Sequence, residues 1–169
     1  MKGFFSATSI LLAITIIALA ASVATLEQSH SSSQVVKLRN EIAFEKFQDA
    51  IEIASDSSTH VIASAGKQYA CNGINFEDDL NAKSVFISNA VENENLSATI
   101  DNLLLTSNGV NPPFTIDVTG DLTTTLEGAV ITKQLQIHKK LNVIQALPDV
   151  TLNVSDLNTG QYHEFLITC

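Results

Sequence analysis

The chain has 169 residues and a formal net charge of -9, which arises from 18 acidic and 9 basic residues. A surface with this balance repels nucleic-acid phosphates, and only Lys139 and Lys140 are adjacent among the basic residues, so we expect no nucleic-acid partner. With 45% hydrophobic residues the chain is too apolar for an intrinsically disordered protein, and its length suits one domain with an appendage.

The first predicted element is an uncharged apolar stretch from Phe4 to Leu26, with the sequence FFSATSILLAITIIALAASVATL. About 20 helical residues cross a hydrocarbon core of about 30 Å, so this stretch is long enough to span a membrane. Lys2 on the cytoplasmic side would place the rest of the chain outside. We therefore expect a single-pass membrane protein whose C-terminal head is extracellular.

The sequence leaves three fates open for this stretch. It is a cleaved secretory signal if the small residues Ala18 and Ala20 mark the cleavage site, in which case the mature chain begins at Ala21. It is a signal anchor if it is not cleaved. If processing follows Gly3, the apolar helix stays on a mature protein that begins at Phe4.

The start Lys2-Gly3-Phe4-Phe5, followed directly by an apolar helix, resembles the class III signal peptide and first helix of type IV pilin-like proteins, above all archaeal ones. The resemblance covers Met1 to about His30. It implies a short leader of residues 1–3 that a prepilin peptidase removes between Gly3 and Phe4. It also implies that residues 4–26 are a transmembrane helix that later assembles into a filament. Bacterial pilins usually carry glutamate at the fifth mature position, where this chain has Thr8, so the archaeal form fits better.

Residues 27–55 are predicted to form a polar hinge and an amphipathic helix. The hinge contains the polar segment EQSHSSSQ, and the helix runs from about Ser33 to Ser55. Its apolar residues recur at intervals of three and four, as expected for one helix face: Ala43, Phe44, Phe47, Ala50, Ile51 and Ala54. We expect this face to pack on the protein's own sheet.

Residues 56–169 are predicted to form an extracellular α+β head. After a less regular region up to Asn95, short apolar or alternating runs separated by turn residues predict strands. The runs are Ser97–Leu105, Phe114–Val118, Leu122–Leu126, Ala129–Ile137, Leu141–Ile144, Val150–Val154 and Tyr162–Thr168. The last two predict a hairpin. The fold class is therefore α+β: a long N-terminal hydrophobic helix, an amphipathic helix and a C-terminal antiparallel sheet, which is the order the pilin resemblance implies.

Two kinds of modification site are predicted in the head. Cys71 and Cys169 are the only cysteines, and an even pair in an exported domain favours a disulfide over two free thiols. Asn95 and Asn153 each begin an N-glycosylation triplet. Asn153 lies inside a predicted strand, so Asn95 is the better candidate.

The sequence offers little support for catalysis or metal binding. There is no nucleophile elbow, phosphate-binding loop or dinucleotide fingerprint, and the four histidines are far apart. The acidic triplet Glu77-Asp78-Asp79 lacks the spacing of a calcium loop and is interpreted as a solvated turn. We expect no enzyme activity, no cofactor and no metal.

Two hypotheses about function remain at this point. The first is a pilin-like structural subunit whose partners are copies of itself or other pilin-like subunits, the membrane and a prepilin peptidase, located in the cell membrane and then in an extracellular filament or pseudopilus. The alternative is an anchored or secreted cell-surface binding module. The N-terminal residue of the mature protein discriminates between them.

Overall fold

A computed structural model describes the backbone of residues 2–94, 97–126, 129–146 and 148–169. Side chains are described for residue 22 and for residues 34–94, 97–125, 130–146 and 148–169. The chain divides into two compact units, Met1–Ile42 and Ala43–Cys169. Except for residue 22, the side chains of the predicted transmembrane helix at residues 4–26 lie outside the described part, and so do most side chains of the polar segment that follows.

The described chain is α+β, as predicted, with helices first and an antiparallel five-stranded sheet after them. The helices are α1 (Lys2–Asn72), α2 (Phe76–Ala82) and α3 (Val85–Asn93). The strands are β1 (Ala98–Asn108), β2 (Phe114–Leu126), β3 (Ala129–Ala146), β4 (Asp149–Asp156) and β5 (Tyr162–Thr168). They lie in the sheet in chain order, and each pairs antiparallel with the next.

Helix α1 does not end at Ser55, where the sequence analysis ended the amphipathic helix. The hydroxyls of Ser58 and Thr59 donate hydrogen bonds to the Ser55 carbonyl oxygen, at 2.7 and 3.1 Å, so these polar residues are accommodated inside the helix. Phe47, Ala50 and Ala54 of the predicted face are buried, and Ile62 and Ala65 continue it. Phe44, which was predicted to lie on the same packed face, is instead 58% exposed. The helix ends before Gly73, whose φ of 66° is the left-handed conformation of a helix C-cap.

Two predicted strand breaks are absent. Gly120-Asp121 lies within β2 instead of in a turn, and Gly120 fits there because a Cβ would come within 3.2 Å of the Asp101 carbonyl oxygen on β1. Lys139-Lys140 likewise lies within β3, whose pairing with β4 continues through both lysines. The predicted hairpin of β4 and β5 is confirmed, with Gly160 at a φ of 74° in its turn.

The core of the second unit lies between α1 and one face of the sheet. The helix comes close to the sheet at Gly66 of α1, where a Cβ would lie 2.9 Å from a Leu141 methyl group on β3, so a larger residue would require that side chain to shift. Aromatic rings close one end, where Phe114 stacks on Phe76 at 4.3 Å and meets the edge of Tyr69. Helices α2 and α3 pack beside β1.

The acidic triplet Glu77-Asp78-Asp79 forms the first turn of α2. The side chain of Asn75 caps this turn by accepting a hydrogen bond from the Glu77 backbone N–H at 2.9 Å. Negative side chains at this position stabilise the positive end of the helix dipole. The triplet therefore has a structural role in starting α2.

Candidate functional site

The first candidate site is an exposed apolar face on the described part of α1. Val35, Leu38 and Ile42 follow one another at intervals of three and four residues, so they share a helix face. Their exposed fractions are 46%, 58% and 37%. We call these three residues the apolar face. A contiguous exposed apolar strip of this kind is typical of a surface that binds another apolar surface.

Apart from Val36, which is also exposed, the other side chains of residues 34–42 are polar or charged. Lys37 and Glu41 form an exposed ion pair with 3.9 Å between nitrogen and oxygen, a geometry typically worth less than about 0.5 kcal/mol. Propensity and such pairs alone rarely stabilise a helix; most helical stability in proteins comes from packing of an apolar face. The apolar face is therefore the feature of this stretch that a partner surface would stabilise by covering it.

Behind the second half of α1 lies a buried polar network of Ser55, Lys139 and Asp156. The Lys139 Nζ atom lies 2.8 Å from Asp156 Oδ2 and 2.8 Å from Ser55 Oγ, and the Ser55 hydroxyl donates to Asp156 Oδ2 at 3.1 Å. The side chains of Lys139 and Asp156 are only 1% and 3% exposed. The network therefore joins α1 to β3 and β4 inside the core.

Asp156 is held in its charged form. Burial would raise the pKa of this carboxyl, but the hydrogen bond from Lys139, the backbone N–H groups of Thr159 and Asn158 and the charge of Lys139 together lower the pKa from 3.8 to about 2. The Oδ1 atom accepts from those two backbone groups at 2.9 and 2.8 Å. Both carboxylate oxygens are thus hydrogen-bonded, and the same residue shapes the turn between β4 and β5.

The network is better suited to fixing α1 on the sheet than to nucleophilic catalysis. A serine nucleophile needs a neighbouring base that takes its proton. The Lys139 Nζ atom donates its hydrogen bond to the Ser55 hydroxyl oxygen, and a carboxylate with a pKa of about 2 is a weak base. Ser55 therefore lacks a competent base among its hydrogen-bond partners.

A polar groove of about 510 Å³ lies over this network, between α1, β3 and the turn that joins β4 to β5. Ile51 and Ile137 supply apolar surface, while amide and carboxylate side chains supply hydrogen-bonding groups: Gln48, Glu52, Asp56, Gln136, Asn158 and Gln161. This mixture of donors and acceptors suits a neutral, hydrogen-bonding ligand.

The disulfide predicted from the sequence is confirmed. Cys71, near the C-terminal end of α1, is bonded to Cys169, the residue after β5, with 5.4 Å between their Cα atoms. The bond closes a loop with a sequence separation of 98 residues, which contributes on the order of 4 kcal/mol in the chain-entropy model. It ties the last strand to the helix.

The structure brings together few of the other predicted site residues. The predicted processing point, Gly3-Phe4, lies in a stretch whose side chains are outside the described part, and Asn95 lies outside it altogether. Asn153 is in β4, where its buried Oδ1 atom has no hydrogen-bond partner. The processing point and the two glycosylation sites therefore remain predictions.

Ser55, Lys139 and Asp156 are the residues that the sequence analysis missed. The signal for them was strand parity. Leu135, Ile137, Lys139 and Leu141 alternate along β3, as do Leu152, Val154 and Asp156 along β4, so both charges occupy inward positions. An opposite pair of charges at inward positions of neighbouring strands predicts a buried ion pair.

Comparison of the chain with protein-family models, with curated proteins and with solved structures gives no match. Within the described ranges, no group of three or more histidine, cysteine, aspartate or glutamate side chains is placed to hold a metal ion. The described residues also include no helix that is long and apolar enough to cross a membrane.

Proposed function

We propose that the protein is a pilin-like structural subunit, of the archaeal type, that assembles through its N-terminal helix into an extracellular filament or pseudopilus. The observation that carries the proposal is the exposed apolar face of Val35, Leu38 and Ile42. It follows in the sequence the uncharged stretch Phe4–Leu26. A second apolar segment thus follows the predicted membrane stretch after the polar segment EQSHSSSQ, outside the length needed to cross a membrane.

Assembly requires that the helices of neighbouring subunits cover one another's apolar surface. In lipid there is little hydrophobic drive between helices, so close packing by small residues matters more. The N-terminal stretch has such residues among its large ones: Ala7, Ala13, Ala18, Ala20, Ala21 and Ala24. Once outside the membrane, the apolar face gains the additional free energy of removing apolar surface from water.

The proposal includes a route to the cell surface. A prepilin peptidase cuts between Gly3 and Phe4, the retained helix anchors the subunit in the cell membrane with its head outside, and other copies or other pilin-like subunits join it. The disulfide and the buried network connect the helix to the sheet within the head. A head with an enclosed core and a net negative surface then faces solvent.

The first experiment determines the N-terminal residue of the mature protein in its native host. We expect Phe4, and we expect Gly3→Trp to block processing because the cleaved bond follows this residue. A chain that begins at Ala21 and is unaffected by Gly3→Trp is a secreted protein. A chain that keeps Met1 is an uncleaved anchor. Either result contradicts the proposal.

The second experiment tests assembly directly. Ala13→Phe adds a ring that obstructs helix approach without removing hydrophobicity, so we expect a folded, membrane-bound subunit that no longer forms filaments in electron micrographs. Glu77→Ala, on the exposed side of α2, is the control and should leave filaments unchanged. Wild-type filament numbers in the Ala13→Phe strain, or no filaments containing the wild-type protein, would remove the assembly claim.

The second candidate function is an anchored or secreted cell-surface binding module, and the polar groove favours it. Its amide and carboxylate side chains around an apolar floor suit a neutral, hydroxyl-rich ligand such as a carbohydrate. In this case Gln136→Ala should weaken ligand binding, whereas Ala13→Phe should not. The two candidates are thus separated by substitutions in different parts of the chain.

A further inference from the structure

The two edge strands of the sheet differ in how well their outer edges are protected. β1 has a register break between Asp101 and Leu104, a left-handed residue at Asn102 with a φ of 52°, and α2 and α3 beside it. A bulge and a covering helix are the usual devices that stop an edge strand from pairing with another chain.

Among the described residues, β5 has no register break in its pairing and no helix like α2 or α3 beside it. Its seven residues, YHEFLIT, pair with β4 in unbroken register and include no proline, lysine or glycine. Every side chain in the strand is exposed except Phe165 and Ile167, which are half-buried, and Leu166 is 73% exposed. A regular edge with unpaired backbone groups is a template for another strand.

The hydrogen bonds at the two ends of β5 show which of its backbone groups point outward. Asp156 N–H donates to the Gln161 carbonyl at 2.8 Å, and Cys169 N–H donates to the Pro148 carbonyl at 3.0 Å. Since bonding alternates along an antiparallel strand, the odd-numbered residues of β5 bond to β4. The even-numbered ones face the open edge: Tyr162, Glu164, Leu166 and Thr168.

We propose that a second copy of this chain binds at this edge, with the two β5 strands antiparallel and Phe165 opposite Phe165. Outward backbone groups must meet outward backbone groups, so even-numbered residues pair with even-numbered ones. This leaves three central registers, with Glu164, Phe165 or Leu166 opposite its own copy. The first brings two carboxylates face to face, and only the second overlaps all seven residues of both strands.

The side chains support the same register. It forms about eight new backbone hydrogen bonds and places the half-buried Phe165 rings side by side on the face of the sheet that packs on α1, with His163 opposite Ile167. An aromatic cross-strand pair is worth roughly 0.2–1 kcal/mol. Because the contact is one strand wide, it is a weak, reversible dimer contact. The pairing is independent of filament assembly by the N-terminal helix.

The test is cysteine cross-linking of the full-length protein. In this register Phe165 faces its own copy at a non-hydrogen-bonded position, where Cα atoms are about 4.5 Å apart and a disulfide fits. We expect Phe165→Cys to give covalent dimers at least five-fold more than Glu164→Cys or Leu166→Cys, mapped by mass spectrometry alongside the native Cys71–Cys169 bond. Equal yields at the three positions, or a maximum at either neighbour, would overturn the proposed register.

A second pair of variants separates strand pairing from contact through the N-terminal helix. In the Phe165→Cys protein, Leu166→Pro removes an N–H that faces the open edge and leaves the bonds to β4 intact, so cross-linking should fall to background. Leu166→Thr removes the same apolar side chain but keeps the N–H, so most cross-linking should persist. Cross-linking that survives Leu166→Pro contradicts the proposal.

The proposal remains testable if Phe165→Cys disturbs folding. The same register places Tyr162 opposite Thr168 of the other copy, and both side chains are exposed. A mixture of Tyr162→Cys and Thr168→Cys proteins should then form cross-linked heterodimers, whereas each variant alone should stay monomeric on a non-reducing gel. Absence of heterodimers overturns the pairing.

Discussion

Helix α1 contains two stretches with similar apolar periodicity and opposite burial. Val35, Leu38 and Ile42, which precede the second unit, are exposed, whereas Phe47 and Ile62 within it are buried. The same helical spacing thus gives an open surface in one stretch and a core in the other. Periodicity predicts which side of a helix is apolar, but the partner that covers it depends on the rest of the fold.

The buried stretch is held by three different kinds of interaction. Gly66 allows close approach to the sheet, Ser55 joins the ion pair of Lys139 and Asp156, and the disulfide fixes the C-terminal end of the helix. The stretch before Ala43 has instead an exposed ion pair and the exposed apolar face. Substitutions should therefore act on stability in one stretch and on association in the other.

The largest expected effect is that of Lys139→Met, which should weaken the attachment of the buried stretch of α1 to the sheet. Methionine fills a similar volume but leaves the Asp156 carboxylate buried without its cation, so we expect a loss of about 3–5 kcal/mol in the free energy of unfolding. Lys140→Met is the matched control, because Lys140 is the next residue and is only half-buried; it should change stability by less than about 0.5 kcal/mol. Urea-induced unfolding measures both. Equal effects would mean that the network does not hold the helix.

A smaller effect is expected from acid. The folded-state pKa of Asp156 is about 2 and its ordinary value is 3.8, so its ionised form stabilises the fold fully above about pH 4. This contribution, on the order of 2 kcal/mol, is lost as the pH falls from about 4 to 2.

The acid effect is measured by unfolding at a series of pH values, with the double variant Lys139→Met/Asp156→Asn as the control. The double variant has no charge at either position, so its stability should decline less than that of the wild-type protein over this range. Parallel declines in the two proteins would assign the acid sensitivity to other carboxylates.

The sequence predicted helices followed by a C-terminal antiparallel sheet, the β4–β5 hairpin and the disulfide, because each depends on local chemistry: period, turn residues and the count of cysteines. It missed the end of α1 because serine and threonine obscure the helical period where their hydroxyls bond within the helix. It also missed the strand passing through Lys139, since a lysine is accepted inside a core only when a distant Asp156 pairs with it.

The smallest expected effect on stability is that of Ile42→Ala. We compare it with Ile62→Ala, the same substitution in the buried stretch of the helix. Ile42 is 37% exposed and Ile62 is fully buried, yet both are isoleucines of one helix. Ile62→Ala should lower the free energy of unfolding by about 2–5 kcal/mol through lost burial and a cavity. Ile42→Ala should change it by less than about 0.5 kcal/mol. In the host, however, Ile42→Ala should reduce filament number while the subunit still folds, because the apolar face then has less surface to bury. A large loss of stability in Ile42→Ala would show that the apolar face is part of the fold of the single subunit, and its exposure would no longer support assembly.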